Sequence, residues 1–164
     1  MSGWKPGQYS VRIGGAPAVP PHLASVTPAD PAEAARWQAL GDQLRLSGDI
    51  PGADRAYARQ IRATVSAPDL VRAADAICET RFAEADRDLR AILTARSTDP
   101  LALWMLAEVT SRTGRNAEAE SLLARCLQAA PGFTAARYAY AMVLYWRHRA
   151  VDALAQARLL LREL

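Results

Sequence analysis

The stretch NAEAESLLARCLQAAP, Asn116 to Pro131, is a blurred copy of FAEADRDLRAILTARS, Phe82 to Ser97, and this self-similarity decides how the chain is read. Small residues keep the same beat on either side of it. Ala85, Ala119 and Ala153 follow one another at intervals of 34, and Ala53 precedes the first of them by 32. A second series runs Ala73, Ala107, Ala141, with Gly41 again 32 residues ahead. Larger apolar residues share the interval, Leu89 to Leu123 and Leu93 to Leu127 to Leu161. A period near 34 is the mark of a stacked unit of two helices.

The packing that such a pattern serves is simple. Each unit pairs two antiparallel helices, and a small residue on each lets the backbones approach where they cross, while Leu, Ile and Tyr nearby fill the remaining space. Neither helix can bury its apolar stripe alone, so units must stack. Stop signals fall between the stripes: Gly48 and Gly114 stand at expected helix ends, and Asp30-Pro31 and Asp99-Pro100 read as a capping acid followed by proline at the first helical position. Gly132, after Pro131, marks a third break.

These residues resemble the tetratricopeptide repeat, whose pattern runs W-x2-L-G-x2-Y, then A-x3-F, then a closing P. Trp37-x2-Leu40-Gly41-x2-Leu44 and Ala53-x3-Tyr57 follow it, with Leu44 in place of the first Tyr. The third unit offers Leu106-Ala107, Gly114, Ala119-x3-Leu123 and Pro131, and the fourth Tyr140-Ala141-x2-Leu144 with Ala153-x3-Ala157. The second is poorest, with Arg72 where Leu is expected. The resemblance spans about Ala34 to Leu164. It implies an all-α, right-handed α-solenoid of about four helix-turn-helix units, at about 34–65, 66–99, 100–133 and 134–164, the last incomplete. Residues 30–164 then form the array, and residues 1–29 a Pro/Gly-rich irregular arm. The pentatricopeptide class of RNA readers is similar, but it favours a beat of 35 and a more basic groove.

In the family that this array resembles, the first helix of each unit lines a concave groove that takes up a peptide or protein segment. The resemblance therefore directs attention to Gln38, Asp42 and Arg45 in unit one and Leu70, Ala74 and Ile77 in unit two. Unit three contributes Trp104, Glu108, Ser111 and Arg112, and unit four Tyr138, Met142, Tyr145 and Trp146. The late half of this wall is aromatic, which suits binding hot spots. Two readings stand side by side: Tyr138 and Trp146 face a ligand, or they pack between neighbouring units. Trp104 and Arg112, eight residues apart, share a helix face with Glu108 between them; the same spacing suits an i,i+4 ion pair. Some members of the family clamp a carboxylate with Lys and Asn, but Gln38, Asp42, Trp104 and Glu108 occupy those positions here, so no such clamp is expected.

Composition narrows the partners. With 51% hydrophobic and 23% charged residues the chain suits a soluble, ordered protein. The sequence pI is about 9.2, yet Lys5 is the sole lysine and the arginines are interspersed with acids, so no nucleic-acid stripe forms. Cys78 and Cys126 lie far apart within expected helices, without metal-ligand spacing, and read as buried thiols rather than a disulfide or metal site. The arm lacks an apolar signal core, and no window would span a bilayer, so a cytoplasmic location and no membrane partner are expected. Tyr9, Val11 and Ile13 alternate as in a strand before Gly14-Gly15 and the prolines break it. The arm is either disordered, or it lies across the array or adds to a partner's sheet through Trp4 and Tyr9.

No catalytic constellation assembles from these residues. His22 lies in the arm, His148 sits where the family often has Gly before a second helix, and no nucleotide, GxSxG or HExxH motif occurs. The expectation is a non-catalytic protein-protein interaction scaffold with no cofactor and no metal. The final stretch, ALAQARLLLREL, presents Leu159, Leu160, Leu161 and Leu164 with no polar cap after it. Leu160 and Leu164 are thus candidates for contact with a second copy or a downstream domain. Two alternatives follow: an accessory array of a longer enzyme, in the style of bacterial sulfotransferases or oxygenases, or a self-assembling repeat protein.

Overall fold

In the computed structural model, which describes residues 26–163, the chain forms eight α-helices and no strand among those residues. They are α1 (Pro31–Leu46), α2 (Ile50–Thr64), α3 (Pro68–Cys78), α4 (Phe82–Ala95), α5 (Pro100–Arg112), α6 (Asn116–Ala129), α7 (Thr134–Trp146) and α8 (Ala150–Glu163). The fold is all-α, as the spacing predicts. The capping acids act as expected: Asp30 accepts from the Glu33 amide at 2.9 Å, and Asp99 from the amides of Leu101 and Ala102 at 3.0 and 3.1 Å. Asp49 does the same for Gly52 at the start of α2.

Consecutive helices form four hairpins with one turn geometry. The turn residue takes a positive φ in each: Gly48 at 87°, Thr80 at 59°, Gly114 at 81° and His148 at 60°. The following amide bonds back to the first helix in every case, from Asp49, Arg81, Arg115 and Arg149 to the carbonyls of Leu44, Ala76, Thr110 and Leu144. Ala53, Ala85, Ala119 and Ala153 are each the fourth residue of a second helix, and all four are buried. The shorter interval of 32 has a local cause: α3 has 11 residues where α5 and α7 have 13.

Helices α3, α5 and α7 lie side by side, each backed by its partner α4, α6 or α8. Arg115 reaches back to Asp86 at 2.6 Å, and Arg149 reaches back to Glu120, the same 29 residues in each case. This ladder ties the second hairpin to the third and the third to the fourth. Among the described residues Arg81 instead pairs with Glu79 and Glu84 on its own hairpin, while Asp54, where the ladder would need its acid, lies near Arg45.

The first hairpin is placed differently from the other three. Ala58, Ile61 and Val65 of α2 join the same buried cluster as Leu70, Ala74 and Ile77 of α3 and Trp104 of α5. The Tyr57 ring lies 6.3 Å from that of Tyr138 on α7, and Arg112 at the end of α5 donates to the Asp54 carbonyl at 2.7 Å. Helix α2 therefore runs across the face formed by α3, α5 and α7. The open groove lined by the first helix of every unit is replaced by one that α2 covers. Helix α1 packs on α2 alone among its strong neighbours and buries only Ala34 and Gly41. A methyl group at Gly41 would stand 2.5 Å from the Tyr57 ring, so this close crossing excludes a side chain there.

The chain enters beside α2. The amides of Ala29 and Asp30 donate to the carbonyls of Thr64 and Ala63, and Val26 packs against the core. The expectations for Trp4, Tyr9 and the rest of residues 1–25 lie outside the described residues.

Candidate functional site

Between the covering helix and the face beneath it, packing is incomplete, leaving a cavity of about 300 Å³. Its walls come from the second half of α1 and its midpoint (Arg45, Gln38), one side of α2 (Ile50, Asp54, Tyr57, Ile61), α5 (Trp104, Glu108, Arg112) and α7 (Tyr138, Met142, Trp146). The volume is at the small end of ligand pockets, enough for one large side chain or a small organic group.

The aromatic walls are fixed by their own contacts. Trp104 is 3% exposed and meets Phe133 edge to face, with centroids 5.0 Å apart. The Tyr57 hydroxyl donates to Asp42 at 2.7 Å and lies 3.4 Å from that of Tyr138. Burial, and then these two hydroxyl and carboxylate neighbours, push the Tyr57 phenol well above its ordinary range, so it remains the donor. The Arg45 guanidinium sits 5.2 Å from the Tyr57 centroid and 5.4 Å from that of Trp146, a cationic plug between two rings.

Charges in the cavity balance. Arg112 pairs with Glu108 at 2.8 Å while donating to the Asp54 carbonyl, and both side chains of the pair are mostly buried. Arg45 is 3.9 Å from Asp54. Burial raises the Asp54 carboxyl above its usual range, Arg112 and Arg45 oppose that, and Glu108 adds to it. Gln60 donates to Gln38 at 3.0 Å. With two arginines facing two carboxylates, the lining offers little net charge to a ligand.

The expected groove residues are thus divided by the structure. Gln38, Trp104, Glu108, Arg112, Tyr138, Met142 and Trp146 come together around the cavity. Trp104 lines the cavity from below, packed against Phe133 and 3% exposed. The Glu108–Arg112 spacing is realised as an ion pair, but a covered one that also holds α2. Asp42 spends its carboxylate on Tyr57 and does not line the cavity. Tyr145 is 63% exposed and turns away from it. Leu70, Ala74 and Ile77 are sealed beneath α2. Of the C-terminal pair, Leu160 is half-buried and Leu164 lies outside the described residues.

Sequence reasoning missed Tyr57, Asp54 and Ile61, because second helices are not expected on the groove side. A signal was present in α2: Ala53, Ala56, Tyr57, Ala58, Gln60, Ile61, Ala63 and Thr64 are buried on more than one side. So broad a band of small and apolar residues suits a helix covered on two faces. Neither cysteine lines the cavity. Cys78 donates to the Ala58 carbonyl at 3.3 Å and Cys126 to that of Pro100 at 3.2 Å, and burial pushes the Cys126 thiol up to about 12. Among the described residues no cluster of three potential metal ligands occurs, and no helix is long and apolar enough to cross a membrane. No protein-family model, curated protein or solved structure matches the chain.

Proposed function

We propose that this chain is a cytoplasmic, non-catalytic scaffold of the tetratricopeptide type that binds a protein segment. In this reading the last three hairpins stack as repeat units of a right-handed solenoid and the first, a unit of the same kind, folds back over their face; the turn shared by all four and the ion-pair ladder joining the last three support it. The binding site is the chamber between α2 and α5–α7 rather than a groove running the length of the array. The observation that carries the proposal is the cavity itself: ring-walled, about 300 Å³, with its charges paired internally. Such a lining favours an apolar or aromatic side chain over a charged one, because inserting a charge would cost desolvation without a free counter-ion. The mouth lies where Ile50, Arg45 and half-exposed Trp146 meet.

Selection from a displayed peptide library, followed by titration of the enriched peptides, tests this. Peptides sharing one large apolar residue should emerge, and Met142→Lys and Trp146→Ala should each weaken them at least about tenfold, or about 1.4 kcal/mol, at unchanged helical content. The proposal fails if nothing is enriched, or if the peptides bind both variants as they bind the parent.

A further inference from the structure

Asp54 is an acid that the fold-back of the first hairpin leaves without its partner. The fifth residue of α2, α4 and α6 is acidic in each case: Asp54, Asp86 and Glu120. Asp86 and Glu120 receive the arginine that precedes the second helix of the next hairpin, Arg115 and Arg149. The matching arginine for Asp54 is Arg81, which pairs with Glu79 and Glu84 instead. Asp54 gives Arg112 its backbone carbonyl, and its side chain, 40% exposed, has Arg45 only at 3.9 Å, beyond hydrogen-bond reach. The other charges beside it are committed, Glu108 to Arg112 and Arg45 to the faces of Tyr57 and Trp146. Asp54 lines the cavity one helical turn from Ile50 at its mouth. An aromatic chamber thus opens beside a carboxylate that accepts no hydrogen bond from any described residue.

The sequence supplies an occupant of that chemistry. Residues 1–25, outside the described residues, contain Trp4 followed at once by Lys5, the sole lysine of the chain, and they carry no acid. Tyr9, the other aromatic residue among them, is followed by Ser10 and Val11. They join the described chain beside α2: Val26 packs on the core, and the amides of Ala29 and Asp30 bond to the last turn of that helix. Asp54 is nine residues back along α2 from Ala63, or about 14 Å. The 21 residues from Lys5 to Val26 reach roughly 70 Å when extended, so the pair returns to the cavity with ample slack. The tether holds it there at an effective concentration on the order of millimolar, at which even a weak fit stays occupied.

We infer that the cavity takes an aromatic residue followed by a basic one, and that its resident occupant is this chain's own arm, with the Trp4 ring in the chamber and the Lys5 ammonium on the Asp54 carboxylate. Only the ring enters the chamber; the charge stays at the half-exposed rim, which keeps its desolvation cost low. The inference rests on the reading of the cavity as a peptide site, and adds which segment holds it and what a competing segment must displace.

Photocross-linking of the full chain tests it. With p-benzoylphenylalanine in place of Trp4, cross-links should form within one chain and map to Tyr57, Met142 or their neighbours around the cavity, and Lys5→Glu should cut their yield at least threefold. Library selection repeated on the chain carrying Trp4→Ala and Lys5→Ala should enrich peptides that bind it at least tenfold more tightly than they bind the parent, because the arm no longer competes. Cross-links that map elsewhere, that join separate chains, or that keep their yield with Lys5→Glu overturn the inference. Equal peptide affinity for the parent and the double variant overturns it too, and leaves the peptide site standing where Met142→Lys still weakens those peptides. A selection on the double variant that enriches nothing overturns the peptide reading, and the inference with it.

Discussion

At Thr80 the backbone adopts φ of 59° where Gly48 and Gly114 hold the same place in their turns. A β-branched side chain in this region clashes with its own backbone, at roughly 1–2 kcal/mol. The turn persists because the Arg81 amide still reaches the Ala76 carbonyl at 2.8 Å and the two helices pack on either side. Thr80 is exposed, so its replacement loses no packing. Thr80→Gly should therefore raise stability by about 1 kcal/mol, read as a higher denaturant midpoint at unchanged m-value. An unchanged or lower midpoint would contradict the strain. Gly48 and Gly114 were legible in the sequence because glycine announces such a turn. Thr80 was not, since its chemistry argues against the conformation that its register imposes. His148, which follows Gly114 by the same interval by which Thr80 precedes it, is found at φ of 60° as well.

Between elements, the ladder from α4 to α8 is carried by acids and arginines that the apolar pattern does not reveal. Arg90 and Arg115 both bridge Asp86 and Glu118, making a closed ring of two cations and two anions between α4 and α6. The Arg90 hydrogen bond foremost, and that of Arg115 against the opposing effect of burial, hold the Asp86 carboxyl below its usual range. A carboxyl lowered in the folded state adds stability above its unfolded value near pH 4, and that contribution fades as pH falls through the folded value. Asp86→Asn should thus destabilise the fold by about 1 kcal/mol at neutral pH, with the difference closing as the solution is acidified through and below the ordinary carboxylate range. Melting curves of both proteins across that range check it, and a constant gap would mean that charge is not the cause. The arginines at 81, 115 and 149 share the 34-residue beat in the sequence. Their partners could not be read there, because an ion pair between hairpins depends on the offset with which the hairpins stack.

For the molecule as a whole, the decisive feature is where the first hairpin lies. Tyr57, mostly buried, links α2 to α1 through Asp42 and to α7 through Tyr138. Tyr57→Ala should cost about 3 kcal/mol and speed amide exchange in α1 and α2 more than in α5 and α6. Equal acceleration throughout would mean that the hairpin is no more separable than the rest. The periodic residues determined by themselves that the chain is helical, that it turns at Gly48 and Gly114, and that Ala53, Ala85, Ala119 and Ala153 are buried, because helix period, capping and glycine turns act over a few residues. That α2 covers the α3–α5–α7 face, that Trp104 is almost wholly buried in the wall beneath it, and that a cavity remains between them were decided only in three dimensions. Which of two apolar faces a helix buries depends on the shape and free area of the surface that meets it, and that surface exists only once the other hairpins have packed.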